Sequence, residues 1–311
     1  MKLAMVFPGQ GSQSVGMLAG YGDAPAIRET LAEASDILRQ DVGKLMAEGP
    51  AEDLNSTVNT QPVMVIAGIC AWRLWRELGG AEPAMAAGHS LGEYTALVAA
   101  GAISFSDALP LVRLRAQAMQ EAVPHGVGAM AAILGLKDDD VRAACDDSAL
   151  GQICEPVNWN APAQVVIAGH ADAVRRAMDA SKALGAKRAI PLPVSAPFHS
   201  SLMKPAAAQL REALSKITVK PPRIPVIHNV DAKSRTDPES IREALVTQAD
   251  HPVLWVECVK EMAARGATHV FECGPGKVLA PLTKRIADGL AGLALSDRAS
   301  VESGVQLSKG A

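Results

Sequence analysis

The sequence predicts an α/β fold with a parallel sheet and a second, smaller domain. Short apolar runs of strand length alternate with helix-like stretches from Leu3 to Ala100, and the alternation resumes after Pro197. This alternation is typical of a parallel sheet with helices on both faces. Between residues 126 and 195 the pattern changes to β-α-β-β-α-β, the ferredoxin-like order. At 311 residues the chain is also long for a single core, so two domains are expected.

The first predicted element is a buried strand at Leu3 to Phe7, a continuous apolar run that leads into the segment PGQGSQ. Further strands are predicted at Pro83 to Ala87, Ile224 to His228 and His269 to Cys273, and helices at Gln61 to Leu78, Leu91 to Ala100, Ala108 to Val123, Pro238 to Gln248, Val256 to Arg265 and from Lys277 onward. Parallel sheets bind ligands at the carboxyl ends of their strands. We therefore expect PGQGSQ, Ser90 and the ECGPG turn at 272–276 to converge. The last twenty or so residues have weak periodicity, and partial disorder is expected there.

The smaller domain is predicted to be an insertion. Its elements are strands at 129–136, 153–159, 164–168 and 187–192 and helices at 137–147 and 171–184. Glycines at 126 and 128 mark its entry, and three prolines between 191 and 197 mark its exit. The predicted division is therefore a large α/β catalytic domain at 1–125 and 196–311, with an inserted ferredoxin-like subdomain at 126–195. A cleft between the two would pass Ser90.

The composition excludes several classes of function. A net charge of −3 and ten aromatic residues (four Trp, two Tyr, four Phe) provide neither a basic surface nor a stacking platform for nucleic acid. No apolar stretch is long enough to span a membrane, and the apolar run before Pro8 is too short for a secretory signal. The five cysteines form no C-x-x-C pair and the histidines no i, i+4 pair, so no disulfide framework or metal site is predicted. We expect a cytoplasmic protein, and nothing demands more than a monomer.

Residues 88–92 read GHSLG, a Gly-x-Ser-x-Gly motif between a strand-like run and a helix-like stretch. A sharp strand-to-helix turn leaves no room for side chains beside the serine, and so glycine flanks it on both sides. The hydroxyl of Ser90 is then exposed at a helix N-terminus, where free N–H groups favour developing negative charge. The spacing can arise by chance, but its strand-turn-helix context favours a nucleophilic serine.

A serine nucleophile needs a base, and histidine has the suitable pKa. His89 adjoins Ser90, and the tight turn is expected to direct its side chain away to a packing or hydrogen-bonding role. His199 lies in SAPFHSS, while His251 and His269 also stay open on the sequence alone.

An oxyanion hole needs two N–H donors, and the N–H of Leu91, directly after the nucleophile, is one of them. The second is expected from PGQGSQ, because Gly9 and Gly11 allow the backbone around Gln10 to approach a ligand closely. As a phosphate-binding loop the same segment is a poor match, since it has neither the ending of a P-loop nor the spacing of a dinucleotide site.

The helix predicted at Ala108 to Val123 carries two arginines, of which Arg115 lies nearer the centre of the apolar stripe than Arg113 does. Arg115 either extends to solvent, pairs with a local carboxylate, or points into the cleft. In the cleft its planar guanidinium could hold a substrate carboxylate through two hydrogen bonds. The periodicity alone leaves these alternatives open.

Five segments together resemble one family. They are FPGQGSQ at 7–13, GHSLGEYTALVAAGA at 88–102, NAPAQVVIAG at 160–169, SAPFHS at 195–200 and ECGPGKVL at 272–279. In these segments, and over nearly all of its length, the chain resembles the malonyl-CoA:acyl carrier protein transacylases of fatty-acid synthesis and the related acyltransferase domains of polyketide synthases. The resemblance implies a parallel-sheet, hydrolase-like large domain with an inserted ferredoxin-like small domain.

The resemblance also implies site residues. They are Ser90 as nucleophile, His199 as base, the N–H groups of Gln10 and Leu91 as oxyanion hole, Arg115 as ligand of the malonyl carboxylate, and the backbone carbonyl of Gln248 as the group that orients the histidine. The Phe198-His199 pair is similar to the form associated with malonyl rather than methylmalonyl selection. Because a carbonyl replaces the acid of a triad, we expect Gln248→Glu to raise hydrolysis relative to transfer.

The implied substrates are malonyl-CoA and the phosphopantetheine thiol of acyl carrier protein, with no cofactor. Acyl carrier proteins are acidic, and so docking requires a local basic patch. Two sets of residues are candidates: Lys182, Lys187 and Arg188, or Lys277, Lys284 and Arg285. The alternatives to a transferase are a serine hydrolase of thioesters and a non-catalytic subunit that docks acyl carrier protein.

Overall fold

The computed structural model describes residues 1–194 and 196–310. Within them the strands are β1 (Leu3–Phe7), β2 (Met85–Gly88), β3 (Gly128–Leu134), β4 (Cys154–Ala161), β5 (Gln164–His170), β6 (Arg188–Pro191), β7 (Val226–Ile227), β8 (His269–Cys273) and β9 (Ala291–Leu295). The α-helices are α1 (Pro25–Leu38), α2 (Val42–Glu48), α3 (Ala51–Asn55), α4 (Thr57–Glu77), α5 (Gly92–Ala99), α6 (Phe105–Glu121), α7 (Asp138–Ala149), α8 (Ala171–Ala183), α9 (Lys204–Ser215), α10 (Pro238–Asp250), α11 (Trp255–Ala264), α12 (Leu279–Ile286) and α13 (Arg298–Lys309). Short 3-10 helices lie at Ala19–Tyr21 and Ser201–Met203.

The larger sheet of the described chain is parallel, with strand order β7-β2-β1-β8-β9. Its central strand β1 is an apolar run that is buried along its whole length, as expected for a strand covered on both faces. In the β1–β2 register Phe7 lies opposite Gly88, so both strands end at the same edge of the sheet. The PGQGSQ segment and the Ser90 turn therefore begin side by side.

Of the three segments predicted to converge, PGQGSQ and the Ser90 turn meet at one cavity, and the ECGPG turn at 272–276 does not line it. The ECGPG turn packs behind PGQGSQ: a β-carbon built on Gly274 would lie 3.1 Å from Pro8, and one built on Gly276 would lie 3.2 Å from Ser12. The carboxylate of Glu272 is fully buried and accepts backbone N–H groups at the start of α12. Within the described chain this turn supports the loop rather than lining the cavity at Ser90.

Helix α4 is buried against the sheet around most of its circumference, which is the pattern of a helix inside a core rather than on a surface. Trp75 of α4 meets Phe271 of β8 edge to face, with ring centroids 5.8 Å apart. This core fixes the sheet on which the site is built. No helix of the described chain is both long and apolar enough to cross a bilayer.

The smaller sheet is antiparallel, with strand order β4-β5-β3-β6. Helices α7 and α8 pack together on one face through a separate apolar cluster. The β-α-β-β-α-β order predicted for this region is present, which confirms the fold class. The division of the chain at 125/126 and 195/196 stays a prediction, and its second boundary falls on Ser195, outside the described residues.

The expectation of partial disorder in the last twenty residues is wrong for 292–310. Strand β9 completes the large sheet, and helix α13 follows it. Asp297 and Ser300 form a reciprocal capping box at the start of α13, and Val301 and Val305 are buried in the main core. The helix is short and Ser-rich, so its stability comes from these tertiary contacts rather than from its own periodicity.

Candidate active site

Ser90 lies in the turn between β2 and α5, with a left-handed backbone φ of 51°. A β-carbon on Gly88 would lie 1.8 Å from the carbonyl carbon of Gly92, and one on Gly92 would lie 2.1 Å from the carbonyl oxygen of Phe7. Only glycine fits at these two positions. The Asn229 side chain braces the turn: Oδ1 accepts the Ser90 N–H and Nδ2 donates to the Gly88 carbonyl, each at 2.7 Å. The hydroxyl of Ser90 is thereby held at the start of α5.

His199 lies next to Ser90, with Nε2 2.6 Å from Oγ. Its other ring nitrogen, Nδ1, is 2.8 Å from the backbone oxygen of Gln248. Because a carbonyl only accepts, we assign the proton to Nδ1, which leaves Nε2 to accept from the Ser90 hydroxyl. Burial, reinforced by the nearby charge of Arg115, lowers the pKa of His199 to about 3. The imidazole is therefore neutral at physiological pH, the form that a general base requires.

The other candidate histidines occupy different places. The His251 Nδ1 lies 2.7 Å from Asp250 Oδ1 on an exposed side chain, and His269 begins β8. His89 Nε2 lies 2.7 Å from Asn160 Oδ1, and its ring is 5.5 Å from that of Trp255. His89 thus has the packing and hydrogen-bonding contacts expected of it, although it also lines the cavity beside Ser90.

The two predicted oxyanion-hole residues lie on neighbouring loops at the same cavity. A β-carbon on Gly9 would lie 2.6 Å from the His89 carbonyl oxygen, so the absence of a side chain there lets the Gln10 loop contact the Ser90 turn. Within the described residues neither the Gln10 N–H nor the Leu91 N–H has a hydrogen-bond acceptor. Two free donors beside a serine Oγ are suited to stabilising an oxyanion.

Arg115 points from α6 into the cleft and is 2% exposed. Its Nη1 donates to Gln61 Oε1 at 2.8 Å, and its Nη2 donates to Gln248 Oε1 at 3.0 Å and to Ser90 Oγ at 3.3 Å. Among the described residues no carboxylate lies within 4 Å of the guanidinium, and Nε has no acceptor. Of the three alternatives left open by the periodicity, the structure therefore places Arg115 in the cleft.

The second arginine of α6 takes the opposite direction. Arg113 donates to the backbone oxygen of Leu38, the last residue of α1, at 3.3 Å and to Oε1 of Gln40, just after that helix, at 2.5 Å. Two residues along a helix correspond to a rotation of about 200°. Arg113 and Arg115 therefore share a helix but not a site.

Gln248 contacts the site in two ways. Its backbone carbonyl faces His199, whereas its side chain turns toward Arg115 and donates from Nε2 to the Ser90 carbonyl at 2.9 Å and to Glu93 Oε2 at 3.0 Å. A carboxylate at position 248 would therefore lie beside Arg115 and Glu93 and not beside Nδ1 of the histidine. The reasoning behind the Gln248→Glu expectation is wrong for this reason.

The predicted site residues share one cavity of about 120 Å³, with the exception of Gln248, which lies behind it. A second cavity of about 290 Å³ adjoins it through Gln10, His89, Asn158 and Leu192. Met130, Asn158 and Leu192 come from the region of the smaller sheet. The cleft between the two sheets thus leads to Ser90.

Sequence reasoning missed a buried polar network behind the nucleophile. The Glu93 carboxylate is fully buried; it lies 2.7 Å from His228 Nδ1 and accepts the Asn229 N–H at 2.9 Å. A signal was available, because His228 and Asn229 are polar residues at the carboxyl end of a predicted strand. Gln61 was also missed, although it is a polar side chain that is 2% exposed on a predominantly apolar helix.

A parallel sheet that presents a serine–histidine pair beside two free N–H donors defines a serine acyltransferase or hydrolase. Residues 4–291 match the model of the acyl transferase domain, and the chain belongs to that family.

Named relatives agree with this assignment. The chain is 55% identical to the malonyl CoA-acyl carrier protein transacylase of Salmonella typhimurium, over 96% of this chain and 97% of that protein. A solved acyl-carrier-protein S-malonyltransferase from Burkholderia pseudomallei is 61% identical, with a TM-score of 0.97 over 98% of this chain and 100% of that one. A malonyl-transacylase solved in complex with a type II PKS acyl-carrier protein is 50% identical, with a TM-score of 0.97 over 99% and 100%. These similarities confirm the resemblance found in the sequence.

Proposed function

We propose that this protein transfers the malonyl group of malonyl-CoA to the phosphopantetheine thiol of acyl carrier protein through a malonyl ester of Ser90. The observation that carries the proposal is Arg115: a buried guanidinium with no carboxylate partner among the described residues, 3.3 Å from the Ser90 Oγ. An acyl group that ends in a free carboxylate supplies the missing anion and places its thioester carbon at the nucleophile.

In the first half-reaction Ser90 Oγ attacks the thioester carbon while His199 Nε2 accepts the hydroxyl proton. The carbonyl oxygen becomes an oxyanion and accepts hydrogen bonds from the N–H groups of Gln10 and Leu91. The C–S bond then breaks, and coenzyme A leaves as its thiol with the proton from His199. In the second half-reaction the phosphopantetheine thiol gives its proton to His199 and attacks the ester, and Ser90 regains its hydroxyl.

The inserted region contributes to the same proposal. We assign residues 126–195 to a small domain that closes one side of the cleft, with Met130, Asn158 and Leu192 among its lining residues. Walls of this kind keep water away from the ester, which favours transfer to a thiol over hydrolysis. The five cysteines are unpaired and buried, which fits a reducing cytoplasm as the place of action.

The carrier protein would dock on a basic surface near the cleft. Of the two candidate sets, Lys182 already pairs with Asp179, whereas Arg285 donates to Gln164 and to the Pro162 carbonyl across the mouth of the cleft. In the second set, Lys277, Lys284 and Arg285, it is therefore Arg285 that lies beside an opening that leads to Ser90, and we favour this set for that reason.

A serine hydrolase is the nearest alternative. Hydrolases with this turn use a carboxylate as the third member of the triad, whereas the partner of His199 Nδ1 is a backbone carbonyl. A non-catalytic docking subunit would have no chemical need for a histidine nitrogen at 2.6 Å and an arginine nitrogen at 3.3 Å from the same serine Oγ.

The deciding experiment is an intact-mass spectrum after brief incubation with malonyl-CoA, followed by addition of holo acyl carrier protein. We expect one malonyl adduct that is absent in Ser90→Ala and passes to the carrier. Release of free malonate with an unlabelled carrier would indicate the hydrolase, and the lack of any adduct would indicate the docking subunit.

A further inference from the structure

We infer that Gln61 and Gln248 form a neutral amide seat for Arg115, which fixes the guanidinium without neutralising it and so sets the preference for acyl groups with a free carboxylate. The inference rests on the proposed function, because it explains how Arg115 selects its substrate. Gln61 and Gln248 are positioning residues in this scheme, since they act through Arg115.

The two amides hold the guanidinium from two sides. Gln61 Oε1 accepts from Nη1 at 2.8 Å, and Gln248 Oε1 accepts from Nη2 at 3.0 Å. Both glutamines are at most 2% exposed. A buried cation is normally matched by a buried anion, because desolvation of an unpaired charge is expensive. Here two uncharged oxygens occupy those positions instead.

The orientation of the Gln248 amide follows from its neighbours. Its Nε2 lies 3.0 Å from Glu93 Oε2 and 2.9 Å from the Ser90 carbonyl oxygen. The Ser90 backbone carbonyl can only accept a hydrogen bond, so the NH₂ group of Gln248 must face it and Oε1 must face Arg115. Gln248 therefore also separates the Glu93 carboxylate from the guanidinium. Glu93 in turn is held by His228 and by the Asn229 N–H.

The seat leaves Arg115 with unused donors. A guanidinium has five N–H groups, and the contacts with Gln61 and Gln248 use one on each terminal nitrogen. One further N–H points toward Ser90 Oγ. Nε is buried and has no acceptor, so the second N–H of Nη1 and the N–H directed at Ser90 Oγ are the donors that face a carboxylate in the cavity, and neither glutamine carries a charge that would compete with it. A glutamate in the seat would satisfy Arg115 internally and remove this advantage.

The test is Gln61→Glu, which keeps the shape of the side chain and adds only a charge, with Gln61→Met as the uncharged control. The rate of Ser90 acylation, as kcat/KM, is measured with malonyl-CoA and with acetyl-CoA. We expect Gln61→Glu to lower malonyl transfer by about ten- to a hundredfold, with acetyl transfer changed by less than about threefold. In Gln61→Met the charge of Arg115 is not neutralised, but one of its two amide contacts is lost, so the malonyl-to-acetyl ratio should fall by several-fold less than in Gln61→Glu.

Equal losses for both acyl groups in Gln61→Glu would overturn the inference, since a merely structural role predicts them. Glu93→Gln tests the other half of the seat independently, because it weakens one of the two acceptors that orient the Gln248 amide, and we expect the malonyl-to-acetyl ratio to fall about three- to tenfold. An unchanged ratio there would also count against the seat. Failure of wild-type protein to form malonyl-Ser90 would instead refute the proposed function, and so the two failures are distinguishable.

Discussion

Two segments place a non-glycine residue in the left-handed region: the Ser90 turn at 88–92, with a φ of 51° at Ser90, and the His199 loop at 196–201, with a φ of 64° at His199. They are held by different means. The Ser90 turn is closed within five residues by glycines that lie against each other and against β1. The described part of the His199 loop is bridged locally by Ser200, whose Oγ donates to the Pro197 carbonyl at 2.7 Å, but it contains no glycine that packs against β1. Its histidine is held by the carbonyl of Gln248, and Ser201 donates from N and Oγ to Glu155 of β4 at 2.7 and 2.8 Å.

This difference has a functional consequence. The nucleophile belongs to a rigid edge of the parallel sheet, whereas the base depends on contacts with both α10 and the smaller sheet. Left-handed conformations of non-glycine residues cost free energy and persist only where the surroundings enforce them. Perturbation of the turn should therefore damage the fold, and perturbation of the loop should damage the chemistry first.

The largest effect is expected from His199→Ala. Without the base, kcat/KM for malonyl transfer should fall by about 10⁴-fold or more, since members of such a pair act as a unit. The midpoint of thermal unfolding should change little, because the Ser90 turn does not depend on the His199 side chain for its shape. Retention of more than about a hundredth of wild-type activity would show that another group activates Ser90.

Gly92→Ala should lower the stability of the fold, rather than remove a group that takes part in the reaction. Its β-carbon would meet the backbone oxygen of Phe7 at 2.1 Å, and we expect a loss of about 3 kcal/mol or more in the free energy of unfolding. Gly43→Ala is the matched control, because its β-carbon would make ordinary contact in helix α2, 3.6 Å from Asp41 Oδ1; it should be neutral or stabilising. Urea denaturation of both variants measures the difference, and similar midpoints would contradict the account of the turn.

Arg115→Ala tests two effects of the Arg115 charge, one on the choice of acyl group and one on the pKa of the base His199. Malonyl transfer should fall about ten- to a hundredfold while acetyl transfer holds or rises. Burial chiefly, and after it the charge of Arg115, lower the pKa of His199, so removal of that charge should raise the pKa. Since His199 must be neutral to accept a proton, activity is lost as pH falls through this pKa. The acid limb of the acetyl-transfer profile should therefore move to higher pH.

Arg113→Ala is the control for the same helix, because Arg113 points away from the cleft. It should leave the malonyl-to-acetyl ratio and the acid limb within error of wild type. An unmoved acid limb in Arg115→Ala would mean that burial alone sets the pKa of the histidine.

The smallest effect is expected from Glu155→Gln. It weakens two hydrogen bonds to Ser201, and we expect kcat to fall about two- to fivefold as the His199 loop loosens. Glu257→Gln, which removes an exposed ion pair with Lys260, should change kcat by less than its error. A loss confined to the unfolding free energy, with kcat unchanged, would limit Glu155 to a structural role.

Much of the fold could be read from the sequence, for reasons that differ between elements. Strand β1 coincides with the predicted Leu3 to Phe7, because a short buried strand is a continuous apolar run. Helix α6 begins at Phe105 rather than Ala108, because Ser104 caps it by accepting the Asp107 N–H. Helix α13 escaped prediction altogether, since its order comes from burial against the main core.

The sequence by itself determined the Ser90 turn, because steric exclusion around a tight turn acts between residues a few positions apart and leaves a glycine signature. It also indicated which strand ends share an edge, and through the family resemblance it identified Arg115. Only the tertiary structure decided that Arg115 meets Gln61 and the Gln248 side chain and that Glu93 orients the latter. These groups are far apart in the chain, so their hydrogen bonds depend on how helices pack across the sheet, and no local pattern encodes that packing.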